Sequence, residues 1–286
     1  MSSAPSAAAV ISQGKLKHLK ALSNSRGVIA AAAMDQRGSL RKSIASARGV
    51  DQSAVTDAMM EEFKVIVSRV LTPHASAILL DPEWGLPAAK ARDPKCGLLL
   101  AYEETGYDAT QPGRLPDLLP HVSGKRIVDW GANAVKILLY YTPFDDPKIN
   151  DIKHAFVQRI GAECAGLDIP FFLEFVVYDP KGGDEKSLEF AKVKPDAVIG
   201  SMKEFAKPEY GVDMLKVEVP INANYCEGSS VYKGQKAYSK PEAMDLYRKA
   251  ADVTGSKPFI YLSAGVSNDE FTESLRLAAE AGTDFS

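Results

Sequence analysis

Seven short apolar runs alternate with stretches of helical character along this chain, and that alternation narrows the fold more than any other feature. The runs are GVIAAAAMDQRG (27–38), ASAILLDPEWG (75–85), GLLLAYE (97–103), AVKILLYY (134–141), IPFFLEFVVYD (169–179), MLKVEVP (214–220) and PFIYLSAGVS (258–267). Helical patterns lie over 51–71, 124–133, 149–166, 194–207, 240–253 and 268–281. Strands that feed helices which feed further strands build a parallel sheet with helices on its outer surface. No low-complexity linker interrupts the pattern, so the chain reads as a single domain over 1–286, opening with a lead-in and helix over 1–26.

Two parallel architectures compete. A doubly wound nucleotide-binding sheet opens with a glycine-rich turn after its first strand. Here the first run ends in Asp35-Gln36-Arg37-Gly38, and neither G-x-G-x-x-G nor a Walker pattern occurs. A TIM (β/α)8 barrel gathers polar residues at the C-terminal ends of many strands. The runs carry them there: Asp35, Asp81, Glu103, Lys136, Glu174, Lys216 and Ser263. The barrel is therefore the expected fold. Only seven strands are visible, and Thr283-Asp284-Phe285 reads as the approach to an eighth, which is expected to lie beyond the given chain.

Composition excludes several functions. Apolar residues make up 45% and charged residues 25%, with a formal net charge of −3 and no polybasic stretch. Neither nucleic acid nor an anionic membrane is an expected partner. No apolar run approaches the ~20 residues that span a bilayer. The N-terminus MSSAPSAAAV lacks a charged n-region and a continuous apolar core. Cys96, Cys164 and Cys226 are odd in number and widely spaced, which argues against a disulfide framework or a zinc site and for a reducing cytoplasm. A homo-oligomer is expected on general grounds.

MLKVEVP poses the chemical question. Alternate residues of a strand face opposite ways. With Leu215, Val217 and Val219 turned to the helices, Met214, Lys216 and Glu218 point into the barrel. The same parity sends Lys136, Leu138 and Tyr140 inward from the fourth run and Glu174 inward from the fifth. Two lysines and two glutamates thus converge from three adjacent strands. They could form an internal ion-pair network without chemistry. They could equally form a Schiff-base site, where a neighbouring cation and a dry pocket favour a neutral, nucleophilic amine.

The segments AAAMDQRGSL, ILLDPEWGLPAAKA, GLLLAYEETGYD, AVKILLYY, IPFFLEFVVYD, LKVEVP and YLSAGVS resemble the tagatose 1,6-bisphosphate aldolase family in order and spacing, from about Gly27 to the end. The resemblance implies a class I aldolase, without metal or other cofactor, acting on a sugar bisphosphate. It places the Schiff-base lysine at Lys216 and the acid/base glutamate at Glu174. It places substrate contacts at Asp35, Gln36, Arg37, Lys136, Ser263 and Gly265. A glycine and an arginine that the family uses for phosphate on a later strand have no counterpart here. Asp81 and Glu83 with His74 could tempt a metal reading, but His74 precedes its strand and belongs at the other end of the barrel. Close rivals are a Schiff-base aldolase for another ketose phosphate, such as fructose 1,6-bisphosphate or sulfofructose 1-phosphate, and an aldolase-like metabolite sensor.

Overall fold

The computed structural model of the chain describes residues 11–104, 107 and 110–283. The strands β1 (Ala31–Met34), β2 (Ala77–Leu80), β3 (Gly97–Ala101), β4 (Ala134–Tyr140), β5 (Phe171–Val176) and β6 (Met214–Glu218) are joined, after a small pair β7 (Cys226–Glu227) and β8 (Tyr238–Ser239), by β9 (Phe259–Leu262). The sheet runs β1-β2-β3-β4-β5-β6-β9 with every neighbour parallel. Among the described residues no strand pairs with the outer edges of β1 or β9. The expected eighth strand falls on 284–286 and beyond, outside the described residues.

Nine helices connect these strands among the described residues: α1 (Gln13–Leu22), α2 (Gly38–Arg48), α3 (Asp57–Leu71), α4 (Leu86–Ala91), α5 (Gly124–Asp129), α6 (Pro147–Gly166), α7 (Leu188–Phe205), α8 (Lys240–Asp252) and α9 (Asn268–Glu280). None is long and apolar enough to cross a membrane.

Strand parity divides the core in two. Val135, Ile137, Leu139, Phe171, Leu173, Phe175, Leu215 and Val217 all face the helix side, in one apolar layer. The opposite parity supplies a smaller inner plug of Leu79, Leu99, Ala134, Phe172, Met214 and Ile260, closed from below by Leu22 of α1. Gly97 is what lets α1 dock there, because a Cβ at that position would stand 2.5 Å from the Ala21 carbonyl oxygen. Lys15 of α1 adds an ion pair to Asp213 at 2.7 Å. The plug fills the N-terminal half of the curled sheet, so polar inward residues occur only above it, towards the strands' C-terminal ends.

Candidate active site

The register explains which inward residues meet. Glu174 of β5 lies directly opposite Lys216 of β6, whereas Lys136 of β4 pairs one step lower, with Phe172. Lys136 therefore reaches upward into the row its neighbours occupy. Its Nζ meets Asp35 Oδ2 at 2.7 Å, Glu103 Oε1 at 2.8 Å and Glu174 Oε2 at 2.8 Å. An ammonium has three hydrogens, and each has a carboxylate. The other oxygen of Glu174, Oε1, faces Lys216 Nζ at 2.9 Å. Glu174 thus bridges the two lysines.

The lysines differ in access. Lys136 is 1% exposed and Lys216 side-chain exposure is 12%, with one carboxylate partner against three. Burial alone would lower the Lys136 ammonium's affinity for its proton, but Asp35, Glu103 and Glu174 outweigh it and hold its pKa well above the usual lysine value. Burial likewise pushes the Asp35 carboxyl up, and the charges of Lys136 and Lys216 override this and hold it well below the ordinary carboxylate range. Lys136 is thus a fixed cation, and Lys216 is the amine a ligand can reach.

These groups line a cavity that also runs along the outer edges of β1 and β9, with a total volume of about 1070 Å³. Asp35, Gln36, Lys136, Glu174, Lys216, Ser263 and Gly265 all line it. Ala264 and Gly265 take positive φ angles of 51° and 68°, making a tight exposed turn just before α9. Gly265 accepts that backbone freely, whereas Ala264 does so under strain. Ile29 and His74 also line the cavity.

Three sets of charged residues near the cluster are engaged elsewhere or from below it. Glu218 shares the inward parity but does not join the lysine cluster: its Oε2 accepts from the Val177 amide at 2.8 Å and its Oε1 meets Lys194 of α7 at 3.2 Å. Arg37 lines the cavity yet is only 2% exposed. Its guanidinium donates to the Glu103 carbonyl at 2.8 Å and pairs with Glu83 at 3.0 Å. It is a buried cation beside the cavity, not a surface salt bridge. Asp81 and Glu83, the tempting metal carboxylates, are each taken by a cation: Glu83 by Arg37, and Asp81 by the buried Lys64. Where three carboxylates do converge, the Lys136 ammonium occupies the centre.

Lys64 was missed by sequence reasoning. It sits on the buried face of α3 between Met60 and Ser68. Its ammonium donates to the Met34 carbonyl at 2.6 Å and the Gln36 carbonyl at 2.9 Å as well as to Asp81. The end of β1 that presents Asp35 and Gln36 is pinned by it. The only sequence signal was a lysine at i+4 and i−4 from buried positions.

On the far wall, Tyr140 lines the cavity and the Arg114 guanidinium lies between its ring and that of Tyr178, at 5.0 and 4.9 Å. Beneath Tyr178 is Lys153, fully buried, its Nζ donating to the Tyr178 hydroxyl at 2.9 Å. Burial brings the Lys153 pKa down to about 8 despite the nearby Asp145 carboxylate. Between about pH 8 and the ordinary lysine range the unfolded chain therefore binds more protons at this site than the folded one. The contribution of Lys153 to stability is least favourable below that window and improves as pH rises through it. Urea midpoints of the native protein minus those of Lys153→Met, taken from pH 7.5 to 10, are expected to rise with pH. A flat difference would show that Lys153 does not titrate in this window.

A curled parallel sheet with a lysine-carboxylate cluster at the C-terminal ends of its strands is the architecture of a barrel lyase that works through an amine. The DeoC/LacD family aldolase signature matches residues 29–284, and the chain belongs to that family. It is 54% identical over 275 residues to tagatose 1,6-diphosphate aldolase 2 of Enterococcus faecalis, covering 96% of this chain and 81% of that one. It is 51% identical over 276 residues to tagatose 1,6-diphosphate aldolase of Listeria monocytogenes, covering 96% and 80%. Among solved structures, a Schiff base forming fructose-1,6-bisphosphate aldolase superposes with a TM-score of 0.59 at 17% identity, over 95% of this chain and 89% of that one. Fructose-bisphosphate aldolase from Slackia heliotrinireducens gives 0.60 at 14% identity, over 94% and 76%. These two likenesses speak for the barrel fold.

Proposed function

We propose that this chain is a class I aldolase that cleaves D-tagatose 1,6-bisphosphate reversibly to dihydroxyacetone phosphate and D-glyceraldehyde 3-phosphate through a Schiff base on Lys216. The observation that carries the reading is the placement of Lys216, reachable from the cavity and touching a carboxylate that a second, fully engaged lysine holds in place.

The steps follow from the placement. Glu174 takes a proton from Lys216, and the freed Nζ lone pair attacks the C2 ketone. The carbinolamine oxygen leaves as water after protonation, giving an iminium that draws electrons from the C3–C4 bond. Loss of the C4 hydroxyl proton breaks that bond and releases the aldehyde. The enamine left on Lys216 is protonated at C3, and water hydrolyses the iminium to free the lysine. Glu174 serves as the shuttle because, among the described residues, it alone forms an ion pair with both lysines. Asp35 and Gln36 face the sugar, and the turn at Ser263–Gly265 accommodates one phosphate, as turns after the seventh strand of such barrels commonly do. Lys136 and Arg37 contribute positive charge from beneath the surface.

Borohydride added with dihydroxyacetone phosphate is expected to leave a stable adduct on Lys216, mapped by peptide mass, and EDTA is expected to leave turnover unchanged. An adduct on Lys136 would reverse the two roles. No adduct together with full loss of turnover in EDTA would remove the Schiff-base reading. Turnover on a panel of ketose bisphosphates tests the substrate itself, with the tagatose compound expected to be cleaved.

A further inference from the structure

Glu103 follows β3 and is 3% exposed. Three contacts fix its segment: a bridge to Leu118, the Arg37 guanidinium on its carbonyl, and the Glu104 amide donating to Asp117 at 2.9 Å. One carboxylate oxygen accepts from Lys136 at 2.8 Å. The other, Oε2, is buried and finds no partner among the described residues. Buried carboxylate oxygens usually have partners, so this one calls for an explanation. Glu103 lines the cavity, but this oxygen is itself buried, and the one ion pair the side chain makes among the described residues is with Lys136.

The charge count offers one. Two lysines, Lys136 and Lys216, face three carboxylates, Asp35, Glu103 and Glu174. Arg37 and Glu83 balance one another beside them. The cluster therefore holds one negative charge in excess. With Glu174 alone on Lys136, two cations would share a single carboxylate, and a proton leaving Lys216 would find no ready acceptor. Glu103 and Asp35 divide the attraction of Lys136. Both line the cavity; Asp35 is the more exposed of the two, at 15% of its side chain against 4% for Glu103, whose carboxylate is turned onto Lys136.

We propose that Glu103 is a positioning residue whose negative charge, delivered through Lys136, lets Glu174 accept and keep the proton that Lys216 must give up. The transfer balances: the Lys216 ammonium and the Glu174 carboxylate become an amine and a carboxylic acid, with the cluster's total charge unchanged. The inference rests on the Schiff-base reading above. The titratable and charged neighbours are Asp35 and Arg37 after β1, Glu83 after β2, Tyr107 beyond β3, Lys136 and Tyr140 on β4, Glu174 on β5 and Lys216 on β6. Burial, with the charge of Glu103 adding to it, pushes the Tyr107 phenol well above its ordinary value. Lys136 and Asp35 are held in their charged forms, as described.

The test compares the native protein with Glu103→Gln, Glu103→Asp and Asp35→Asn, using the pH dependence of kcat, KM for the bisphosphate and borohydride adducts on Lys216. Glu103→Gln removes the charge and keeps the shape. It is expected to lower kcat roughly 10–100-fold, the range typical of outer partners of an active group. The basic limb of its kcat profile is expected to move to lower pH, with KM unchanged or lower because the cavity is less anionic. Glu103→Asp keeps the charge and is expected to keep the native limb. Asp35→Asn removes a charge from the same ammonium and must move the limb the same way, which decides the matter even where Glu103→Gln fails to fold. An unmoved limb in the charge-removing variants, or a loss expressed wholly in KM, overturns the inference. Absence of any adduct on native Lys216 would instead overturn the Schiff-base reading beneath it.

Discussion

Glu174→Gln is expected to lower kcat ~10²–10⁴-fold, the usual cost of losing a general acid/base group. Glutamine fills the same volume and can still donate or accept one hydrogen bond, but it cannot carry a proton between Lys216 and substrate. KM is expected to move far less, because the phosphates dominate binding and are held elsewhere. Stability is expected to change little. Lys136 keeps Asp35 and Glu103 when Glu174 is gone, so no buried ammonium is left alone, and Lys216 borders the open cavity. The decisive comparison is kcat beside the thermal midpoint of the same variant. A near-normal kcat with a large fall in midpoint would make Glu174 a structural partner and pass the shuttle to Asp35. Glu218 could not inherit that role, since both its oxygens are spent on Val177 and Lys194.

That fallback shows what strand parity can and cannot reveal. A period of two correctly sorts Lys136, Glu174 and Lys216 from their apolar neighbours, because in a parallel barrel the helix-facing positions tolerate almost no polarity. Parity says nothing about where along the axis a side chain ends. Glu218, two residues further up β6 than Lys216, clears the cluster and meets α7 instead. Lys136 joins it from a lower step only because of the stagger between β4 and β5. Glu103 is visible in the sequence as a polar strand end, yet its function depends on that same stagger.

Helices show a different limit. The sequence pattern over 51–71 reads as one helix, but the chain makes a short turn at Gln52–Ala54 and starts α3 at Asp57, capped by Thr56. The helix α2 went unread because GSLRKSIASAR has little apolar surface, with Ala45 its one buried residue. It also lacks a side-chain cap at its start. The helical pattern over 194–207 starts later in the chain than α7 does. The helix begins at Leu188, with Ser187 as its cap and Phe190 and Ala191 already buried. Tertiary burial outweighed the local preference there, as it commonly does.

Lys64 is where the largest loss of stability is expected. The side chain is fully buried, as is that of its partner Asp81. Lys64→Met removes one charge of a buried pair and leaves the Asp81 carboxylate, among the described residues, with the Trp84 amide, which donates to it at 2.8 Å. Breaking a buried pair from one side costs about 3–5 kcal/mol, because the remaining charge stays desolvated and unpaired. Two backbone carbonyls, Met34 and Gln36, lose their donor as well, so Asp35 is presented less rigidly and kcat is expected to fall even in molecules that remain folded. Asp81→Asn alone strands the Lys64 ammonium and is expected to be similarly damaging. The double variant Lys64→Met/Asp81→Asn removes both charges and is expected to recover a large part of the lost stability, so the two single losses should not add. Urea unfolding of the four proteins measures this coupling directly. Additive losses would mean that the two charges do not stabilise one another, and the pinning of β1 would then have to come from its packing against β2 alone.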